Sequence, residues 1–423
     1  MDPTRELVDA FDGVADGVVD GVVDGRVDGA VGGDLSAHAR LHRGVQLLLR
    51  GELVRAVEDL RAAARVARLS GVEPVLRAAC GHLALAHALQ GDLVVAQHWL
   101  DQLDGATPAE GLEEVSGTGA VVARALVALG RLDLEAAGTA LSGLAWIGDP
   151  VLRDELWGFV AYARCELAVL RGDRTAALHA LDAAVAAHAS TCRPGAFVPD
   201  LLLGARVDLL AALGDGNRAR AVLDEQQGLS LLLRVRRARV DLLIGDVVAA
   251  RTHAVRVGAV STSTRHRVQA LLVEAVAEQR LGQGTDAAVA ATRAAELAHA
   301  QGLLQPFAHV PLAELRHVAA GAPVPGGPTW HAVGLLREVL EEPVLGVVGE
   351  AMPTTLTVVE LTERERAVLG ELASTPSLDV VAARLFVSPN TVKTQVRSLY
   401  RKLGVHNRDD AVVAAYRSGL LRD

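Results

Sequence analysis

The chain has 423 residues, half of them hydrophobic, only 3% aromatic, with a net charge of -9. That length allows two or three domains, and a sequence rich in Ala, Leu and Val but poor in aromatics favours close-packed helices. Three widely separated cysteines, Cys80, Cys165 and Cys192, argue against a disulfide framework or a zinc site and suit a reducing cytosol. The opening residues lack the basic start and apolar core of a signal peptide. Every apolar stretch is broken before the roughly 18 residues a membrane span needs, so a soluble cytoplasmic protein with no membrane partner is expected.

Residues 1–34 form the first segment. Asp-Gly recurs every four residues from Asp12 to Asp28. Glycine at this density opposes a stable helix, and the spacing is not the alternating ligand pattern of a calcium loop. A poorly ordered segment is expected.

From about 35 to 320 the chain repeats, within a repeat domain of residues 35–342. A Gly is followed five residues later by Ala at Gly51/Ala56, Gly91/Ala96, Gly172/Ala177, Gly214/Ala219, Gly245/Ala250 and Gly282/Ala287. Gly130 joins the set with Ala136, one residue late. Amphipathic patterns flank each Gly. The pattern predicts a helix, a Gly-bearing turn, and a second helix whose Ala lets it pack close to the first. A single hairpin cannot bury its apolar face, so neighbours must stack into a tetratricopeptide-like array. An armadillo-like or HEAT-like array is the alternative. The segment GAPVPGGP, 321–328, is a breaker, and a helix around 330–342 closes the array. Residues 343–355 read as a linker.

Residues 356–423 carry ten Lys/Arg against eight Asp/Glu, while the rest of the chain carries an excess of acid. The only two lysines of the chain, Lys393 and Lys402, lie here. Thr362 and Glu365 form a capping box opening a helix with Ala367, Val368, Leu369 and Leu372 on its apolar face. Thr375-Pro376 ends it. Ser377 caps a second helix that turns Val381, Ala382 and Leu385 inward. Phe386-Val387 makes a turn. Ser388 caps a third helix with Pro389 at its first position. Val392, Val396, Leu399 and Leu403 form its apolar stripe, and Asn390, Thr394, Arg397 and Arg401 face the other way, with Lys393 on the flank. Gly404 ends that helix, and Asn407 caps a fourth over 409–418. A short helix pair followed by a basic, acid-free helix suits the major groove of double-stranded DNA.

The runs LTERERAVLGELA, VVAARLFVSPNTVKTQVRSLYRKLGV and NRDDAVVAAYRSGLL resemble the LuxR/FixJ/NarL family of bacterial regulators over about residues 358–421. The resemblance implies a four-helix helix-turn-helix domain. It implies base contacts from Lys393, Thr394 and Arg397, and phosphate contacts from Ser388, Thr391, Lys402 and Arg408. It also implies a homodimer surface on the fourth helix at Val412, Val413 and Tyr416. The sequence departs from the family's usual residues at Thr375, Asp379, Val380 and Gln395; Asp379 removes a possible phosphate contact. The large members of the family join helical repeats to such a domain and often carry a nucleotide-binding module. A Walker A loop needs a Lys, and none precedes Lys393.

The expected fold is therefore all-α: a helical-hairpin solenoid followed by a small four-helix domain. The expected function is a sequence-specific transcriptional regulator whose array senses a small-molecule or protein effector and joins two copies. The rival is an interaction scaffold with a weak DNA-binding tail. No GxSxG or readable triad is present, so neither an enzyme nor a cofactor is expected. His38 and His42, four apart, are read as surface histidines rather than metal ligands. Trp99, Trp146, Trp157 and Trp330 are read as core or groove anchors.

Overall fold

The computed structural model describes residues 29–104, 117–144, 155–189, 196–321, 330–343, 345, 353, 355–356, 361–375, 377–403, 405–417 and 420–421. Among these no strand occurs. The Asp-Gly segment up to 28, Cys192, Trp146, Pro376, Gly404 and most of the two expected linkers lie outside the described residues.

Among the described residues seven hairpins form the array. Their helices are α1 (Gly29–Leu49) with α2 (Leu53–Ser70), α3 (Glu73–Gln90) with α4 (Leu93–Asp104), and α5 (Gly117–Gly130) with α6 (Leu134–Ser142). Next come α7 (Trp157–Arg171) with α8 (Arg174–Ala187), α9 (Phe197–Ala212) with α10 (Gly216–Asp224), α11 (Leu231–Ile244) with α12 (Val247–Val260), and α13 (Thr264–Arg280) with α14 (Gly284–His299). A 3-10 turn at Gln305–His309 leads to α15 (Leu312–Gly321) and α16 (Trp330–Glu341). Helix α1 begins at Gly29, inside the segment expected to be poorly ordered. His38 and His42 are exposed on it.

The repeat is visible in the turns. Gly51, Gly91, Gly172, Gly214, Gly245 and Gly282 all have left-handed backbones. The alanine five residues beyond each is buried, and its small side chain lets the paired helices approach closely. The third hairpin departs from the expected Gly130/Ala136 register. Its left-handed turn residue is Leu132, with φ 62°, and the buried alanine is Ala137, so the spacing of five is kept. Ala136 is exposed. A left-handed leucine costs about 1–2 kcal/mol, and burial of the Leu132 side chain against the core offsets it. Gly130 serves packing instead: a Cβ there would lie 2.6 Å from the Leu93 side chain.

The array curls until its ends meet. The Ser263 hydroxyl donates to the Gln90 carbonyl at 3.0 Å, and the Thr264 hydroxyl donates to Asp92 at 2.7 Å. The Leu304 N–H donates to the Gly130 carbonyl at 2.7 Å. Val94 N–H donates to the Gln301 side chain at 3.2 Å. The Gly51 turn abuts the Phe197 ring. The turns of the first three hairpins thus touch the starts of α9 and α13 and the segment before the 3-10 turn.

A buried polar knot lies inside this closure. Asp208 of α9 accepts from both Arg236 and Arg239 of α11, and all three are at most 2% exposed. Arg239 also donates to His309 Nδ1 at 2.9 Å. Burial first, then the Arg239 and Arg236 charges, push the His309 imidazole well below its usual range, so it is neutral and Nδ1 is free to accept. Arg265 of α13 donates to Gln305 and, at 3.2 Å, to the Ala88 carbonyl; Gln305 in turn donates to Glu166 of α7. Helices α3, α7, α9, α11 and α13 are tied through one polar centre.

The carboxy-terminal helices have their own core of Leu361, Val368, Leu369, Leu372, Val381, Ala382, Val392, Val396, Leu399 and Ala415. The expected linker is not a free connection at its ends. Leu345 and Leu356 are buried in the core of the array, and the Leu356 N–H donates to the Leu243 carbonyl at 2.6 Å. Leu345 and Leu356 thus share the core of the array, and the second core begins at Leu361. Burial of these two leucines removes apolar area from water.

Candidate nucleic-acid interface

Among the described residues four helices build this domain: α17 (Glu363–Ser374), α18 (Leu378–Arg384), α19 (Pro389–Leu403) and α20 (Arg408–Arg417). Thr362 and Glu365 form the capping box expected of α17. Val368, Leu369 and Leu372 face inward, but Ala367 is exposed, because the helix turns a single face of about 100° to its core. Ser377 sits at the N-cap of α18 without a side-chain capping bond, contrary to expectation. The α18–α19 turn puts Phe386 in a left-handed conformation, φ 55°, with its ring 95% exposed.

Ser388 accepts from the Thr391 N–H at 3.2 Å, capping α19 as expected. Val392, Val396 and Leu399 are buried, while Asn390, Lys393, Thr394, Arg397 and Arg401 are exposed. The Thr394 hydroxyl donates to the Asn390 carbonyl at 3.0 Å. Among the described residues no carboxylate pairs with Lys393, Arg397 or Arg401. The face has donors and positive charge and no acid, which is what a phosphate-walled groove attracts.

Two residues assigned to phosphate are also engaged within the domain. Lys402 Nζ lies 2.7 Å from Glu365 Oε2, and the Arg408 Nε donates to the Leu372 carbonyl at 2.9 Å. Glu365 further accepts from Ser398 at 2.8 Å and from the Thr362 N–H at 2.8 Å. Burial alone would raise its carboxyl; the Lys402 ammonium and the Thr362 and Ser398 donors outweigh that and hold it at about 2. The sequence marked Glu365 only as half of a capping box. Its role as the tie between α17 and α19 depends on a contact 37 residues away, for which spacing gives no signal.

On α20, Asn407 caps through Asp410 N–H at 2.8 Å. Ala411 and Ala415 are buried. Val413 and Tyr416 are exposed and Val412 is half-buried, so the three residues assigned to a dimer surface are not consumed by the domain's own core.

A short helix, a left-handed turn and a cationic second helix, held on a preceding helix, define a helix-turn-helix domain. Residues 359–415 match the family model of bacterial regulatory proteins of the LuxR family. This segment is 51% identical over 61 residues to a probable transcriptional regulatory protein NarL of Mycobacterium tuberculosis, covering 14% of this chain and 28% of that protein. It is 46% identical over 66 residues to the HTH-type transcriptional regulator MalT of Yersinia enterocolitica, covering 16% of this chain and 7% of that one. The chain thus matches well under a third of the length of these relatives. The TPR domain of P58(IPK) aligns with 74% of this chain and 99% of its own, at 16% identity and a TM-score of 0.18. Among the described residues no helix is long and apolar enough to cross a membrane.

Proposed function

We propose that this protein is a sequence-specific DNA-binding transcriptional regulator, with α19 entering the major groove. The observation that carries the reading is the division of α19: a buried Val392/Val396/Leu399 stripe on one side, and exposed Lys393, Thr394, Arg397 and Arg401 on the other. A groove about 12 Å wide admits one helix. Lys393, Thr394 and Arg397 read base edges. Ser388, Asn390, Thr391 and Arg401 sit at the groove walls. Lys402 and Arg408 reach phosphates beside them.

The array is the sensing and oligomerising part of this reading. Two copies meet through Val412, Val413 and Tyr416 and address two half-sites. The buried Leu345 and Leu356 support such a link, since they bring the carboxy-terminal domain's connection onto the array. Genome-wide mapping of bound fragments tests the assignment: discrete sites sharing a sequence support it, and uniform or absent binding by the folded protein contradicts it.

A further inference from the structure

Asp200 stands in the first turn of α9. It is only 7% exposed, and among the described residues no donor or cation pairs with its carboxylate. A buried unpaired carboxylate is costly, and the positive end of a helix offsets only part of that cost.

Two cavities meet this side chain. One, about 570 Å³, lies between α8 and α9. Leu181, Val185, Pro199 and Leu203 supply its apolar wall. Its other charged groups already match each other: Arg206 Nε lies 3.4 Å from Asp182. Gln226 donates its amide to the Val222 carbonyl at 3.3 Å. Among the described lining residues Asp200 is the charge left over. The second cavity, about 370 Å³, is lined by Arg50, Phe197 and His266. There burial, with the Arg236 and Arg265 guanidiniums next, pushes the His266 imidazole down to about 3. Arg50 lines that side and disfavours a cation there. A cation reaches Asp200 from the α8–α9 side.

The lining decides what kind of cation. A metal ion asks for several oxygens, and one unmatched carboxylate in an apolar wall does not supply them. An apolar cavity of this size with one fixed charge suits an organic molecule. We infer that the α8–α9 cavity binds a small amphipathic organic amine, its ammonium against Asp200 and its apolar body against Leu181, Val185 and Leu203. The site rests on the sensing role proposed for the array only in its consequence for DNA, not in its existence.

The test is calorimetric titration of the full-length protein with hexylamine and 2-phenylethylamine, beside hexanol and hexanoate. Both amines should saturate the protein at or below about 1 mM, near the affinity one charge and a few methylenes provide. The alcohol and the acid should not. Asp200→Asn, nearly isosteric, should weaken the amines at least tenfold and raise the melting temperature of the unliganded protein, because it removes an unanswered buried charge. The inference is overturned if neither amine saturates by about 10 mM, if hexanol binds as well as hexylamine, or if Asp200→Asn binds the amines unchanged. DNA affinity is measured separately, with and without amine. Amine binding that leaves DNA affinity unaltered keeps this site and contradicts only the sensing role.

Discussion

Glu365 in the first turn of α17 holds Lys402 in the last turn of α19 at 2.7 Å. The same carboxylate closes the capping box and accepts from Ser398. One side chain therefore sets both the start of α17 and the angle at which α19 is offered to solvent.

This carboxyl is held at about 2, below its ordinary 4.5. A depressed folded value stabilises above the unfolded one, so the contribution is complete above pH 4.5 and is lost as pH falls toward 2. Glu365→Gln should destabilise the domain by about 2 kcal/mol at neutral pH. It should also flatten the acid limb of stability between pH 4.5 and 2. Thermal unfolding of both proteins across that range checks this, and parallel acid limbs would contradict it.

Asp208 answers two buried guanidiniums, Arg236 and Arg239. Removing it leaves both charges in a dry core, a loss of about 3–5 kcal/mol. Asp208→Ala should open the array, seen as faster amide exchange in α9, α11 and the 3-10 turn. Unchanged exchange there would mean the knot does not hold the closure.

Gly91 and Gly245 share a left-handed backbone, φ 88° and 92°. A Cβ at Gly245 meets open space, whereas at Gly91 it lies 2.8 Å from the Arg265 backbone N. Gly245→Ala should cost about 1–2 kcal/mol, the price of the conformation alone. Gly91→Ala should cost clearly more in the same urea titration, because it also forces apart the ends of the array. Equal losses would show that the closure contributes nothing.

The Leu361 to Ala415 core is separate from that of the array. A fragment of residues 356–423 should therefore unfold cooperatively by itself and bind the same DNA as the full chain, more weakly, since linkage of two copies raises effective concentration. Circular dichroism and a binding titration at fixed salt check both. A folded fragment with no specific affinity would place part of the DNA interface on the array.

Local signals were legible and distant ones were not. The five-residue Gly/Ala spacing gave six turns directly. It misplaced the third, because a left-handed Leu132 is a conformation no residue type announces, and Gly130 nearby offered a false register. The α19 stripe, the Thr362 capping box and the Ser388 and Asn407 caps follow from spacing within one helix. The closure between Gln90 and Ser263, 173 residues apart, has no local period and could not be read. Nor could the docking of Leu345 and Leu356, whose burial depends on contacts with distant helices.

The most direct test of the central claim is the affinity of the full-length protein and its Arg397→Ala variant for a mapped site and for random DNA, over a range of salt. Arg397 is exposed on α19, so its loss should leave folding intact. The account predicts a loss of about 1–3 kcal/mol on the mapped site, little change on random DNA beyond one phosphate's worth of salt dependence, and relaxed preference at one base pair. A folded Arg397→Ala variant that binds the mapped site as tightly as the parent, or loses affinity equally on both DNAs, would contradict α19 as the reading helix.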